Sequence, residues 1–326
     1  MPNTTIQMIK ALGVISRAEF LLPNLGSLIM GLAWGATSST SMGDLVVLIV
    51  LSFAVINLSS AIGAQANTLS DRELDSRDER KKQLVEATNS FGVNRLKIVL
   101  VIEFALTLVL VSLFMLLQQK PVLLLLWMVG ICLGYAYSLS PIRLKARGWL
   151  APVSLILVLA VFPVLFAYYT FTTEMNAFFL LSLTGLALTV YGVIIPTEIR
   201  DYFGDKAMGI VTLTVRLGLV QASLLGIVLL TAGAIFTGTA FLLEWTYRQH
   251  VWLNVFLLAI PVAITFVLGK FKKLYYLSKK HTSSKSQTSV SEDIVSLSAS
   301  NPQWIMLVTQ TYTAMSILLL LSKFLL

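Results

Sequence analysis

Residues 98–140 read IVLVIEFALTLVLVSLFMLLQQKPVLLLLWMVGICLGYAYSLS. Two apolar runs flank a short polar break, and Glu103 and Lys120 are the charged residues in the stretch. At 1.5 Å per residue, about 20 helical residues cross a hydrocarbon core of about 30 Å. The runs show no period-2 alternation, so they do not read as strands of a membrane barrel. Two membrane helices joined by a tight turn is the reading that remains.

The same pattern extends in both directions. Apolar runs cover roughly 18–36, 45–65, 97–117, 122–140, 150–171, 177–197, 217–239, 251–269 and 304–325. The first is full length and lacks a small-residue cleavage site, so it is expected to be a span rather than a leader. The expected fold is an all-α integral membrane protein. Its nine transmembrane helices form a single bundle with a central lipid-open cavity, and residues 1–326 make one domain. Composition agrees. Of 326 residues, 56% are hydrophobic and 12% charged, with a mean hydropathy of +0.82. Soluble domains carry about 25% charged residues, which excludes a water-soluble protein. The single cysteine, Cys132, excludes a disulfide framework and a thiolate metal cluster. The two histidines, His250 and His281, are far apart in sequence and make a poor metal site.

The formal net charge of +8 is explained by topology. With nine spans, 21 of the 24 Lys and Arg fall on one side, and Lys120, Arg248 and Lys323 on the other. The positive-inside rule then puts the N-terminus in the cytoplasm and the C-terminus outside. Nucleic acid is not needed to account for the charge. Within residues 271–302 the Ser-rich segment SKKHTSSKSQTSVSEDIVSLSAS, 278–300, is expected to be a flexible cytoplasmic loop.

The acidic residues are concentrated in two places, both on the expected cytoplasmic side. Residues 71–79 read DRELDSRDE, and 198–205 read EIRDYFGD. In the first, Asn67, Asp71 and Asp75 have i, i+4, i+8 spacing and share one helix face. In the second, Asp201 and Asp205 repeat the i, i+4 spacing, and Glu198 lies one turn earlier. Carboxylates one turn apart offer hard oxygen donors to Mg²⁺, an ion that keeps coordination positions for water and phosphate. Two such faces opposing each other, with basic residues nearby, would grip a diphosphate and neutralise it as it leaves. Glu73 and Glu79 lie off the Asp71–Asp75 face and read as solvated; Asp78 is a supplementary candidate. A solvated helix end laced with i, i+4 pairs explains one cluster alone. It explains two clusters of matching spacing poorly.

Together these motifs resemble the UbiA superfamily of intramembrane prenyltransferases. The first family motif is similar to N67-TLS-D71-REL-D75, and the second to E198-IR-D201-YFG-D205. The continuation GDKAMGIVTLTVRLG, 204–218, and the segment YAYSLSPIRLKARG, 135–148, resemble two further family segments. Thr68 stands where the family usually has aspartate, and the segment DERKKQ replaces the usual tail of the first motif. The resemblance implies a Mg²⁺-dependent enzyme. It would move a polyprenyl group from an isoprenoid diphosphate to a lipophilic acceptor, with its tail lying in an apolar groove among membrane lipid. It implies catalytic Asp71, Asp75, Asp201 and Asp205, with metal held by these four, Asn67 and Glu198. Substrate-binding candidates are Asn67, Arg143, Lys145, Tyr135, Tyr137, Asn24, Arg72 and Lys206. The tyrosine rings would face an allylic carbocation, while Arg and Lys would contact phosphate.

Each helper has a plainer reading. The basic loop residues also serve as positive-inside anchors, the tyrosines as interfacial aromatics, and Asn24 as an interhelical hydrogen bond. Gly31 and Gly35 form a GxxxG spacing suited to close helix contact. Pro163 and Pro196 are expected to kink their spans. The competing functions are a cation-binding membrane transporter, which would need carboxylates in mid-span and inverted repeats, and a non-catalytic member of the same family.

Overall fold

The computed structural model describes residues 5–37, 42–76, 81–283 and 287–324. Among them there is helix and no strand. In chain order the helices are α1 (Thr5–Ile15), α2 (Leu21–Gly35), α3 (Met42–Asp75), α4 (Lys82–Phe91) and α5 (Val93–Gln118). Next come α6 (Pro121–Ser138), α7 (Leu150–Ile156), α8 (Phe162–Phe171), α9 (Ala177–Ala207) and α10 (Leu213–Leu217). The last four are α11 (Leu219–Tyr247), α12 (Ala259–Ser283), α13 (Gln287–Ala299) and α14 (Asn301–Phe324). Helix is the solution that apolar runs of this length demand, since lipid offers backbone groups no hydrogen bonds.

Small residues set how closely the helices approach. A Cβ on Gly31 of α2 would lie 2.4 Å from the Ala167 Cβ and 2.6 Å from the Val164 carbonyl on α8. At Gly35 it would lie 2.7 Å from the Tyr168 carbonyl. The GxxxG spacing therefore marks a real backbone-to-backbone contact. The α9–α11 pair uses the same device reciprocally. A Cβ on Gly185 would meet the Thr237 backbone nitrogen at 2.6 Å, and one on Gly233 would meet the Thr189 backbone nitrogen at 2.9 Å. The largest buried cluster joins α2, α8, α9, α11, α12 and α14. A second joins α2, α3, α5, α6 and α8. The outward faces carry exposed Val46, Val47 and Val50 on α3 and Ile98, Val101, Val109 and Leu116 on α5. In a membrane these faces meet lipid tails.

Two expectations change. Eight of the nine expected spans are helices of at least 18 residues among the described positions. The expected span 18–36 is instead a 3₁₀ turn, Ala18–Phe20, followed by the 15-residue α2. Arg17 adopts a left-handed backbone (φ 55°) just before the turn, and Ala36 becomes extended, which confines the helix to about 22 Å. Second, the segment expected to be a loop within 271–302 is mostly helical. Helix α12 runs on to Ser283, and α13 packs on α9 and α12 through Val290 and Ile294, at i, i+4, both buried. Two apolar residues one turn apart are a short stripe, easily lost in a Ser-rich composition. Helix α9 carries Pro196 within its length, as expected. Near Pro163 the chain makes a widened π turn, Leu157–Val161, before α8 begins. A proline cannot donate to the preceding turn and its ring crowds the carbonyl there, and a wider turn relieves both.

Candidate active site

The C-terminal turns of α3, α6 and α9 meet at one end of the bundle. Helix α3 delivers Asn67, Asp71 and Asp75 on one face, as the spacing requires. Asp71 and Asp75 are buried, 8% and 4% exposed, and Asn67 is half-buried. Buried carboxylates need cations, and each has one. The Lys145 ammonium donates to Asp71 Oδ2 in a very short contact and to Asn67 Oδ1 at 3.3 Å. Arg143 reaches Asp71 Oδ1 at 3.4 Å. Lys81 Nζ lies 2.6 Å from Asp75 Oδ1.

The loop after α6 holds these cations by its own bonding. Arg143 takes a left-handed backbone at φ 39°, a strained conformation for a side-chain-bearing residue. Its N–H donates to Leu139 at 2.8 Å and its carbonyl accepts from Ala146 at 3.0 Å. Arg147 braces the turn through Nε to the Ile142 carbonyl and a terminal nitrogen to the Pro141 carbonyl at 3.0 Å. The loop is tied to α3 by Ser138, whose hydroxyl donates to Asn67 Oδ1 at 3.0 Å, and by the Ser70 hydroxyl on the Ser138 carbonyl at 2.8 Å. Burial is the main effect on Lys145. It pushes the ammonium below the usual lysine range, with Arg143 and Lys81 adding to it, while Asp71 pulls it back up.

Helix α9 supplies the second arm. Asp201 and Asp205 are half-buried, and Arg200 Nε donates to Asp201 Oδ1 at 3.1 Å. Glu198 accepts from the Thr214 hydroxyl at 2.7 Å and from the Tyr191 hydroxyl at 3.3 Å. The two arms share a neighbour. Half-buried Tyr137, near the end of α6, is close enough to Asp71, Glu198 and Asp205 for all three charges to act on it.

Not every expected residue reaches this cleft. Arg72 is exposed and donates to Asn89 on α4 at 3.1 Å. It stands one position, or about 100° around the helix, from Asp71, which turns it away. Exposed Lys206 sits over the Tyr202 ring at 5.6 Å. Tyr135, two positions from Tyr137, packs against the apolar cluster of α2, α3, α5, α6 and α8. Asn24 donates to Asn57 Oδ1 on α3 at 2.9 Å, the interhelical alternative. Glu198 has its oxygens turned to Thr214 and Tyr191. Asp78 lies outside the described residues. Thr68 is buried, 3% exposed, one position from Asn67. Sequence reasoning did not find Ser70, Ser138, Tyr191 or Thr214. Their role is visible only through partners 7 to 71 positions away.

Among the described residues no three His, Cys, Asp or Glu side chains group as a metal-chelating set. The oxygens of Asn67 and Asp71 nevertheless converge on one cation, the Lys145 ammonium. That donor set has the hardness Mg²⁺ prefers. Its sparseness suits an ion that takes most of its ligands from phosphate and water.

The sequence pattern of the UbiA prenyltransferase family matches residues 24–287. A comparison with curated proteins finds no match. Solved structures share the fold. A UbiA homologue from Archaeoglobus fulgidus bound to GPP and Mg²⁺ is 18% identical, with a TM-score of 0.58 over 91% of this chain and 99% of that one. A digeranylgeranylglyceryl phosphate synthase structure is 15% identical, with a TM-score of 0.59 over 95% and 99%. An apo UbiA homologue from Aeropyrum pernix K1 is 14% identical, with a TM-score of 0.58 over 89% and 98%.

Proposed function

The chain belongs to the UbiA prenyltransferase family, and from that premise we propose that it transfers a prenyl group from an isoprenoid diphosphate to a lipophilic acceptor within the membrane, releasing diphosphate. The observation that supports this reading is that charges from both acidic arms, Asp71 on α3 and Glu198 and Asp205 on α9, act on Tyr137 at the end of α6. The A. fulgidus homologue, bound to GPP and Mg²⁺, supports the choice of substrate and cofactor.

Asn67, Asp71 and Asp75 on α3, with Asp201 and Asp205 on α9, would hold Mg²⁺. When bound, the metal supplies positive charge that neutralises the diphosphate as the allylic C–O bond breaks. Lys145 and Arg143 exchange the Asp71 carboxylate for phosphate oxygens, Arg143 as a planar fork and Lys145 as a point charge. The cleavage leaves an allylic carbocation in a cleft walled by Tyr137, whose ring face attracts cations. Burial of Asp71 and Asp75 keeps bulk water from the charges and strengthens their interactions. The acceptor carbon attacks, and its proton passes to a carboxylate or to the departing diphosphate.

An apolar cleft of about 180 Å³ between α2 and α14, lined by Leu22, Leu25, Met306 and Ile317, suits the prenyl tail. The 21-to-3 distribution of basic residues supports a cytoplasmic position for the carboxylate end. The test is purified protein in detergent with Mg²⁺, geranylgeranyl diphosphate and a panel of acceptors. Turnover that disappears in Asp71→Ala and in Asp201→Ala, with the fold intact, is the expected result. Full activity in either variant removes the proposed site.

A further inference from the structure

The opposite end of the bundle holds a second polar cavity that prenyl transfer does not use. Its volume is about 410 Å³, and its lining includes Trp34, Tyr168, Glu174, Asn176, Arg248 and Lys323. These come from the C-terminal ends of α2, α8, α11 and α14 and the entry to α9. Along α9, Asn176 and Asp205 are 29 positions apart, which places the cavity about 40 Å from the carboxylate cleft.

Its polar groups divide into those already satisfied and those that are not. Asn176 caps α9, accepting from Phe178 N at 2.7 Å and Phe179 N at 3.2 Å. The Tyr168 hydroxyl donates to the Glu174 carbonyl at 2.7 Å and accepts from Asn176 N at 3.2 Å. The groups left over are mainly donors; the one carboxylate in the lining, Glu174, is exposed. Trp34 is 4% exposed, and its indole N–H has no partner. Lys323 Nζ donates to the Trp34 and Ala36 carbonyls, both at 3.1 Å, and has no carboxylate in ion-pair range among the described residues, so one N–H and its charge remain. Arg248 spends Nε on buried Glu244 at 2.6 Å, and its terminal nitrogens have no partner among the described residues. Of the opposing charges, Glu244 gives Oε1 to Arg248 and keeps Oε2 buried without a partner among the described residues, outside the cavity lining, and Glu174 is exposed.

A cation in this position needs a reason, because this face carries three of the chain's 24 basic residues. Capping α2 explains two of the Lys323 hydrogens. It explains neither the third nor the idle indole N–H. We propose that this cavity is a binding site for a phosphate group, with Lys323, Arg248 and the Trp34 indole as its donors. Oxygen atoms of a phosphate accept from all three groups at once, and the site lies where α2, α8, α11 and α14 end, which is where a lipid headgroup would sit. The shared chemistry is phosphate. Its source is a phospholipid headgroup or a soluble phosphate.

Native mass spectrometry of the full chain in detergent tests the proposal with three probes: phosphatidylglycerol, diacylglycerol and inorganic phosphate. One phosphatidylglycerol retained per chain, in preference to diacylglycerol, is expected. Displacement of that lipid by inorganic phosphate identifies phosphate alone as sufficient, and resistance to it assigns the site to the lipid. Both outcomes support the site. Lys323→Gln keeps donors for the α2 carbonyls, and Trp34→Phe removes the N–H along with one of the two fused rings that pack on Phe179 and Phe241. Each is expected to weaken phosphatidylglycerol retention about tenfold. Equal retention of phosphatidylglycerol and diacylglycerol, or unchanged retention in both variants, overturns the proposal.

Discussion

Lys145 places its ammonium on the carboxylate of Asp71, a residue 74 positions earlier in the chain. The contact joins the loop after α6 to the end of α3, and it neutralises a carboxylate that is 8% exposed. Removing either partner therefore has two effects. In the proposed reaction it deletes a ligand for diphosphate or metal, and in the fold it strands a buried charge. Asp71→Asn is expected to lower turnover by about 100-fold or more, the scale of losing a preorganised electrostatic group. Steady-state transfer from geranylgeranyl diphosphate measures it. Activity within threefold of wild type would show that Asp71 is only a structural ion-pair partner.

Glu198 and Asp201 stand one turn apart on α9, and their surroundings predict unequal roles. Glu198 is committed to Thr214 and Tyr191, and Asp201 is half-buried beside the cleft. Glu198→Gln is expected to cost less than tenfold in turnover, while Asp201→Asn abolishes it. Comparing the two in one preparation, with Mg²⁺ titrated, checks the order. A Glu198→Gln loss as large as that of Asp201→Asn would make Glu198 a metal ligand.

Asn24 is expected to act in helix packing. Its bond to Asn57 at 2.9 Å links α2 to α3. Interhelical hydrogen bonds of this kind average about 0.6 kcal/mol in membranes. Asn24→Ala should lower the unfolding temperature slightly and leave the KM for diphosphate unchanged. A raised KM with unchanged stability would return Asn24 to the substrate pocket.

Gly31→Val places methyl groups where a Cβ already meets the Val164 carbonyl at 2.6 Å. The helices α2 and α8 must separate, at a cost of about 1–3 kcal/mol as for other overpacked cores. Thermal unfolding in detergent should show a drop of several degrees. Equal stability would mean that the α2–α8 contact is looser than its geometry indicates.

Lys120, in the turn between α5 and α6, donates to the Thr170 carbonyl at 2.9 Å, and burial pushes its ammonium below the ordinary lysine value of 10.5. Between that lowered value and 10.5 the unfolded chain binds more protons than the folded one. Stability from this group therefore rises with pH across the window, and the charged-state cost is fully present below it. The unfolding temperature of the wild type, relative to Lys120→Met, should climb as pH approaches 10.5. A flat or falling difference would contradict the assignment.

Much of this architecture was legible because lipid imposes hard rules. Apolar runs of the right length become helices, and i, i+4 spacing puts Asp71 and Asp75 on one side of α3 whatever surrounds it. Position along the chain was less informative about direction. Arg72 and Lys206 are adjacent to acidic ligands in sequence, and helix geometry turns them outward, to Asn89 and Tyr202. Partners far along the chain carry no local pattern, which is why Ser138 and Thr214 were not legible; Tyr191, two turns before Glu198 on α9, had the spacing but no chemistry to single it out. The shortness of α2 and the helicity of α13 depend on a left-handed Arg17 and on two apolar residues in a Ser-rich tract. Composition averages such details away.

The interlocked glycines of α9 and α11 have a mechanical consequence. Gly185 sits against Thr237 with no side chain between, so this crossing acts as a fulcrum for a long stiff rod. Asp205 is 20 positions beyond it, about 30 Å along the axis, and a tilt of about 5° at the crossing would swing that carboxylate by about 2.6 Å. Misplacement by about 1 Å already costs catalysis on the order of 100-fold. In the proposed reaction, fine alignment would thus rest on a crossing of bare glycines, where a single added methyl would tilt the helix that carries Asp201 and Asp205.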